Sequence, residues 1–170
     1  VLHPIGIIRS PYRDKFAVPR QSGLAPSVSA RLNILPEFAI AEAFAGLEQA
    51  SHVWLQWQFH KHAPGEWKPS VRPPRLGGNA RLGVFATRSS FRPNSLGLSV
   101  CRLQSINLSD GVTLHLSGSD LVDGTPVFDI KPYVPYADRV EEARLDWAES
   151  APQSLAVRWS AEAEANVDDL

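Results

Sequence analysis

A chain of 170 residues, 44% hydrophobic and 21% charged, can bury one sizeable core and is too apolar to stay disordered. Its net charge of -1 argues against indiscriminate nucleic-acid binding, and its single cysteine, Cys101, excludes an internal disulfide. No apolar run reaches the ~18 residues of a membrane span and no signal peptide precedes Val1, so a cytoplasmic protein is expected. The missing initiator Met implies a trimmed or non-native start.

Near-neutrality hides a gradient. Lys61 to Arg92 holds seven Lys or Arg and one acid, Glu66, whereas Asp138 to Leu170 holds nine acids and three arginines. One part of the fold can therefore present a basic face.

In chain order, Ile5, Ile7 and Ile8 predict a first strand, and an irregular segment, Arg13 to Ser27, follows. Ala30, Leu32 and Ile34 alternate as a second strand. Pro36 to Leu47 predicts a helix, with proline in its first turn and Phe38, Ala41, Phe44 and Ala45 on one side. His52 to His60 is a strand with Val53, Leu55, Trp57 and Phe59 on one face. A second irregular segment, Lys61 to Arg81, reads as a shaped loop because Pro73-Pro74 stiffens it before Gly77-Gly78. The strand from Leu98 to Leu108 changes phase between Val100 and Cys101, which predicts a bulge there. Val112, Leu114 and Leu116 form another strand. Phe128 and Ile130 alternate with Val127, Asp129 and Lys131 in a further one. Asp138 to Glu149 predicts a charged helix, Leu155, Val157 and Trp159 a strand, and Ser160 the N-cap of a helix that runs to Leu170. Many short strands with 14 prolines and 11 glycines favour a mainly β fold, a closed or nearly closed antiparallel β-barrel with one or two short helices and long functional loops. The expected division is a barrel over 1–137 and a linking helix, strand and extension over 138–170.

Two segments carry chemistry. In FATRSSFRPNSLGLSV, Phe85 to Val100, Arg88 and Arg92 lie on either side of hydroxyls and Phe91, before the Pro93-Asn94 turn. Guanidinium forks beside a proline turn suit an anionic or planar ligand. In DLVDGTPVFDIKPY, Asp120 to Tyr133, Asp123-Gly124 marks a turn, while Asp129 and Lys131 share a strand face as a structural ion pair or as site residues. KFAVPRQSGL, Lys15 to Leu24, adds Arg20 and Gln21 in a loop. His52, His60 and His62 share strand parity but lack a nearby Cys pair or carboxylate, and His52 is too far along to reach the same ion as His62, so no metal is expected. Cys101 sits in an apolar pattern and is read as core. No Gly-x-Gly-x-x-Gly follows a strand and no phosphate loop is present, so a Rossmann cofactor domain is unsupported.

Taken together, KFAVPRQSGL, SHVWLQWQFH, VRPPRLGGNARLGVFATRSSFRPNSLGLSV and DLVDGTPVFDIKPY resemble the S-adenosylmethionine-dependent tRNA N6-methyltransferase family that modifies threonylcarbamoyladenosine at position 37 of the anticodon loop. The likeness runs from about Pro4 to Tyr136. It implies a β-barrel rather than a Rossmann enzyme, S-adenosyl-L-methionine as methyl donor, the tRNA anticodon loop as partner, and a homodimer with cofactor sites near the subunit interface. By position, cofactor contacts fall on Pro19, Arg20, Gln21, His60, Lys61, Arg88, Leu98, Leu121, Val122, Asp123 and Gly124.

Under that resemblance, Arg88 or Arg20 suits the cofactor carboxylate, and backbone groups of Leu121 to Gly124 suit its adenine. Asp129 and Asp123 are the candidate bases. Arg92 or Lys131 would clamp the threonyl carboxylate, with Asn94 beside them, and Phe91 or Tyr133 would stack on the base. The family commonly has proline where this chain has Ser95, and often where it has Ser90. Their loss is expected to loosen the loop by ~0.4–1 kcal/mol each. Many members also continue into a second C-terminal domain, whereas this chain stops inside a helix pattern. Two readings compete with the enzyme: a non-catalytic RNA-binding or regulatory barrel, and a methyltransferase with another acceptor.

Overall fold

The computed structural model describes residues 1–61, 66–152, 158–161 and 163. The first of two compact units, Val1–Val140, is built from eight strands: β1 (Gly6–Arg9), β2 (Ser29–Ile34), β3 (His52–Gln58), β4 (Ser70–Val71), β5 (Leu82–Gly83), β6 (Leu96–Asn107), β7 (Thr113–Ser117) and β8 (Pro126–Pro132). Six of them close a barrel in the order β1-β2-β7-β6-β3-β8, with every neighbouring pair antiparallel. The short β4 and β5 pair with each other outside it, inside the basic segment.

Alternation explains the wall. Ala30, Leu32 and Ile34 of β2, Val53, Leu55 and Trp57 of β3, and Leu114 and Leu116 of β7 all point inward and are buried. Ile8, Leu121 and Val127 complete the same core. Each such side chain contributes about 1.5–3 kcal/mol of burial. Cys101 is also fully buried, and burial, followed by the Asp120 charge, pushes its thiol up to about 12.

Both irregular steps in the barrel differ from the sequence pattern. In β6, Ser99, Cys101 and Leu103 all face inward, so no phase change occurs at Val100 and Cys101. The register shift lies between Leu103 and Ser105 instead. The apolar Leu98 faces outward and the polar Ser99 inward, which made the pattern misleading. In β8, Gln56 pairs with Asp129 but Trp57 pairs with Val127, leaving Phe128 as the extra residue. Val127 therefore packs in the core instead of sharing a face with Asp129 and Lys131.

Helices are shorter than their patterns suggest. Residues 36–49 form three separate 3-10 turns, Pro36–Phe38, Ala41–Phe44 and Leu47–Gln49. Extended backbone at Ile40 and a left-handed Gly46 (φ 86°) break the run. An apolar spacing of three serves a 3-10 turn as well as an α-helix. Among the described residues of the first unit, only α1 (Pro135–Asp138) is α-helical, a single turn opened by proline.

The second unit, Glu141–Leu170, contains a 3-10 turn at Asp146–Ala148 where a charged helix was expected. The charged run carries no apolar stripe to bury. Ser160 does cap, its hydroxyl accepting from the Ala163 N–H at 3.2 Å. Leu155, Val157 and His62 lie outside the described residues. Among the described residues, no helix is long and apolar enough to cross a membrane.

Candidate functional site

The site is assembled at the end of the barrel where β3 finishes and β8 begins, and it depends on one glycine. Gly97 stands opposite Trp57 across β3 and β6, and a Cβ there would fall on the indole ring. The missing side chain gives Trp57 its inward position. From there its Nε1–H donates to the Ser99 hydroxyl (3.0 Å), and Ser99 donates to Asp120 Oδ1 (2.7 Å). Burial raises the Asp120 carboxyl above its usual range; the Ser99 hydroxyl, its own backbone, the Arg88 charge and the Ser22 backbone hold it back. A half-buried carboxylate thus feels the charge of a loop arginine and is held by a relay that starts in the core.

The Pro-Arg-Gln loop is fixed to the same point. Gly23 N–H donates to the Gly118 carbonyl (2.8 Å), which pins the loop two residues before Asp120. Arg88 Nη1 then donates to Gln21 Oε1 (2.5 Å). Of the three loop residues expected at the site, Gln21 is engaged and half-buried, Pro19 is half-buried, and Arg20 is exposed.

The Asp123-Gly124 turn closes the other side. Asp123 N–H donates to the Tyr12 carbonyl (2.8 Å), Gly124 N–H to Ile8 (2.9 Å), and Leu121 N–H to the Ser119 hydroxyl (3.2 Å). Gly124 has φ 82°, a conformation glycine adopts without strain. Asp123 accepts from Ser10 N–H (3.1 Å) and lies 3.7 Å from Arg9. Leu121 itself is fully buried in the core, and its carbonyl accepts from the Ser10 hydroxyl (2.8 Å). These donors are therefore committed to the fold, so any recognition by Leu121 to Gly124 must use other groups than those N–H bonds. The Val122 carbonyl is likewise taken up by the Thr125 hydroxyl (2.7 Å).

His60 rests on this turn, with Nδ1 3.3 Å from Thr125 Oγ1. Burial and then Lys61 lower its pKa, against an opposing pull from the Asp123 backbone and charge. The imidazole is therefore neutral at physiological pH. Lys61 is exposed beside it. Leu98 is an exposed, outward-facing residue on β6, one outward position below Leu96 at this end.

Arg88 acts on Asp120, three residues before Asp123 in the chain. The sequence did not single out Asp120, Ser99, Trp57, Gly97 or Ser22 for this role. The available signal was a lone serine at an inward position of an apolar strand.

Other expected residues are placed elsewhere. Asp129 and Lys131 form an exposed ion pair at 3.0 Å on the outer wall. Asp129 pairs with Gln56, which faces Leu98 on its other side, and Lys131 pairs with Trp54 two residues further along β3. Tyr133 lies beyond them, its ring 5.9 Å from Trp54. Arg92 is not free to clamp a carboxylate with its Nη1, which donates to the carbonyls of Thr87 (2.7 Å) and Val84 (3.2 Å). Phe91 carries Lys68 over its ring at 4.2 Å. Asn94 is exposed in the turn that Ser95 N–H closes on the Arg92 carbonyl (3.1 Å). Ser95 has φ 50°, which proline cannot adopt. A proline at that position would not rigidify this loop, contrary to the expectation from the family pattern.

Comparison with known proteins bears on the family and the fold. Residues 7–139 match the tRNA-methyltransferase O N-terminal domain family. The chain is 52% identical over 162 residues to the tRNA (adenine(37)-N6)-methyltransferase of Escherichia coli K12, covering 94% of this chain and 69% of that protein. It is 54% identical over 160 residues to the putative S-adenosylmethionine-dependent methyltransferase RcsF of Pseudomonas aeruginosa PAO1, covering 94% and 68%. The crystal structure of TrmO from Pseudomonas aeruginosa superposes with a TM-score of 0.83 at 47% identity, over 99% of this chain and 72% of that one.

Proposed function

Because the chain belongs to the tRNA-methyltransferase O family, we propose that it transfers a methyl group from S-adenosylmethionine to N6 of adenine 37 in tRNA, the adenine carrying a threonylcarbamoyl group. The observation that carries this reading is the meeting of Arg88, Gln21 and Asp120 from three separate segments.

The donor set fits the methyl donor. The exposed Arg88 guanidinium suits its carboxylate, and Gln21 with the Asp120 charge fixes where that fork points. The neutral His60 adds no cation beside a sulfonium. Pro19, Arg20, Lys61, Leu98 and Val122 complete the proposed contacts. S-adenosylmethionine, when bound, supplies an electrophilic methyl. The acceptor nitrogen belongs to a urea, so its lone pair is delocalised and alignment is the main task of the protein. Asp123 in the turn and Asp129 beside Gln56 are the two carboxylates proposed for proton removal. A cytoplasmic homodimer belongs to the same reading. The exposed Leu96 and Leu98 of β6 give it an apolar surface to cover.

The test is methylation of tRNA with and without the threonylcarbamoyl group, read by mass spectrometry of the nucleosides. Methylated threonylcarbamoyladenosine from the first substrate alone is expected. Equal methylation of both would change the acceptor. Cofactor binding without product would leave the RNA-binding barrel. Sedimentation at micromolar protein reads the homodimer.

A further inference from the structure

The proposed reaction needs a surface for the target base, and the two rings expected from sequence do not offer one. Phe91 is half-buried under Lys68, and Tyr133 packs on Trp54 at the other end of β8. Phe85 is different. It is 72% exposed at the centre of the 3-10 turn Val84–Ala86, three residues before Arg88.

Its position is set by Arg92. That guanidinium lies 5.5 Å from the Phe85 ring centroid, while Nη1 is tied to the carbonyl of Val84, which opens the turn, and to that of Thr87, which follows it. Thr87 locks the turn again, its hydroxyl donating to the Val84 carbonyl (2.9 Å). The ring is thus backed by a fixed cation while most of its surface remains open to solvent. Phe16 is also exposed, but its cation is the adjacent Lys15 rather than an arginine anchored by two carbonyls. Around Phe85 the chain from Lys61 to Arg92 carries seven cations and one acid, which suits a polyanion.

We propose that Phe85, backed by Arg92, is the stacking platform for the adenine that receives the methyl group. An unstacked base presents a π face that an aromatic ring can cover, and a base extruded for chemistry on its edge needs such support. On this view Arg92 acts through Phe85 as a positioning residue, and the reason for its tight tethering is the orientation of the ring. The inference rests on the RNA-methylation reading above.

The experiment uses the full chain and compares Phe85→Leu and Phe85→Trp with the parent. It measures kcat/KM for tRNA, the dissociation constant for S-adenosylmethionine by calorimetry, and Tm. Phe85→Leu keeps apolar bulk but removes the π face, and should lower kcat/KM for tRNA about tenfold, from the usual strength of base–aromatic stacking. Cofactor affinity and Tm should be unchanged, and Phe85→Trp should restore activity to within about twofold. Parental activity in Phe85→Leu, an equal loss of cofactor affinity, or failure of Phe85→Trp to recover would overturn the proposal. A parent chain that methylates no tRNA would instead refute the reading on which it rests, so the two failures are separable.

Discussion

The two ends of the stretch from Asp120 to Lys131 place aspartate near a cation in different surroundings. At its start, ahead of β8, Asp120 is half-buried, accepts a hydroxyl from Ser99, and feels the charge of Arg88. Toward its finish, inside β8, Asp129 meets Lys131 at 3.0 Å with both side chains exposed. Burial makes the first pair matter: removing solvent strengthens each remaining interaction and makes a missing one costly. The exposed pair is screened and close to neutral in energy. Residue type alone therefore does not identify the working aspartate; the environment that the barrel builds around it does.

The largest effect should come from the residue that makes the buried end possible. Gly97→Val would drive a side chain into Trp57 and break the relay from Trp57 through Ser99 to Asp120. A cost of about 3 kcal/mol is expected from overpacking. Thermal melts should show Tm falling by roughly 10 °C. A variant that melts like the parent would mean that the Trp57 ring has another place to go.

Arg88→Ala comes next. Losing a charge-assisted contact to the cofactor carboxylate should weaken S-adenosylmethionine by about 10–100-fold, or roughly 1.5–3 kcal/mol. Calorimetry checks this with Lys131→Ala as the control from the other end of that stretch. Equal losses from both substitutions would erase the distinction between the two ends.

Asp120→Asn separates stability from function. The raised Asp120 pKa means that the folded state favours the protonated acid, so the burial penalty is fully present above the folded pKa. It fades as pH falls through that value toward the ordinary 3.8. Asparagine keeps an acceptor for Ser99 without the charge. The variant should therefore melt at or above the parent at pH 7, and the gap should close near pH 4. Its cofactor affinity should fall several-fold, because Arg88 loses its opposing charge. A variant less stable than the parent at pH 7 would show that the carboxylate pays for its burial through Arg88.

Much of the barrel could be read from the chain because an inward-facing strand position repeats every two residues. Leu32, Leu55 and Leu114 all fell where alternation put them. The misreadings came where another rule competed. Ser99 broke the apolar rhythm because it serves Asp120, and the turns of residues 36–49 matched a helix because both spacings bring every third residue together. Family likeness brought Gln21, Arg88 and Asp123 forward, since they lie in recognisable motifs. It could not show that Arg92 turns back on its own loop while Phe85 turns out, because side-chain direction in a loop follows from tertiary bonds and not from local pattern. Gly97, Trp57, Ser99 and Asp120 escaped notice for the same reason: they become one device only after β3 and β6 pair.

The smallest expected effect is at the exposed end, and it is the sharpest check on the contrast. Asp129→Asn removes half of a surface pair worth about 0–1 kcal/mol. The local bond from Ile130 N–H to Asp129 Oδ1 (2.9 Å) can be kept by the amide oxygen. Tm should therefore shift by no more than about 3 °C, with kcat and cofactor affinity within about twofold of the parent. A fall in kcat of about 100-fold or more at unchanged cofactor affinity would be a base's signature rather than a surface pair's. Such a result would place Asp129 at the reacting nitrogen and make the outer wall around Gln56, which pairs with both Asp129 and Leu98, part of the active site.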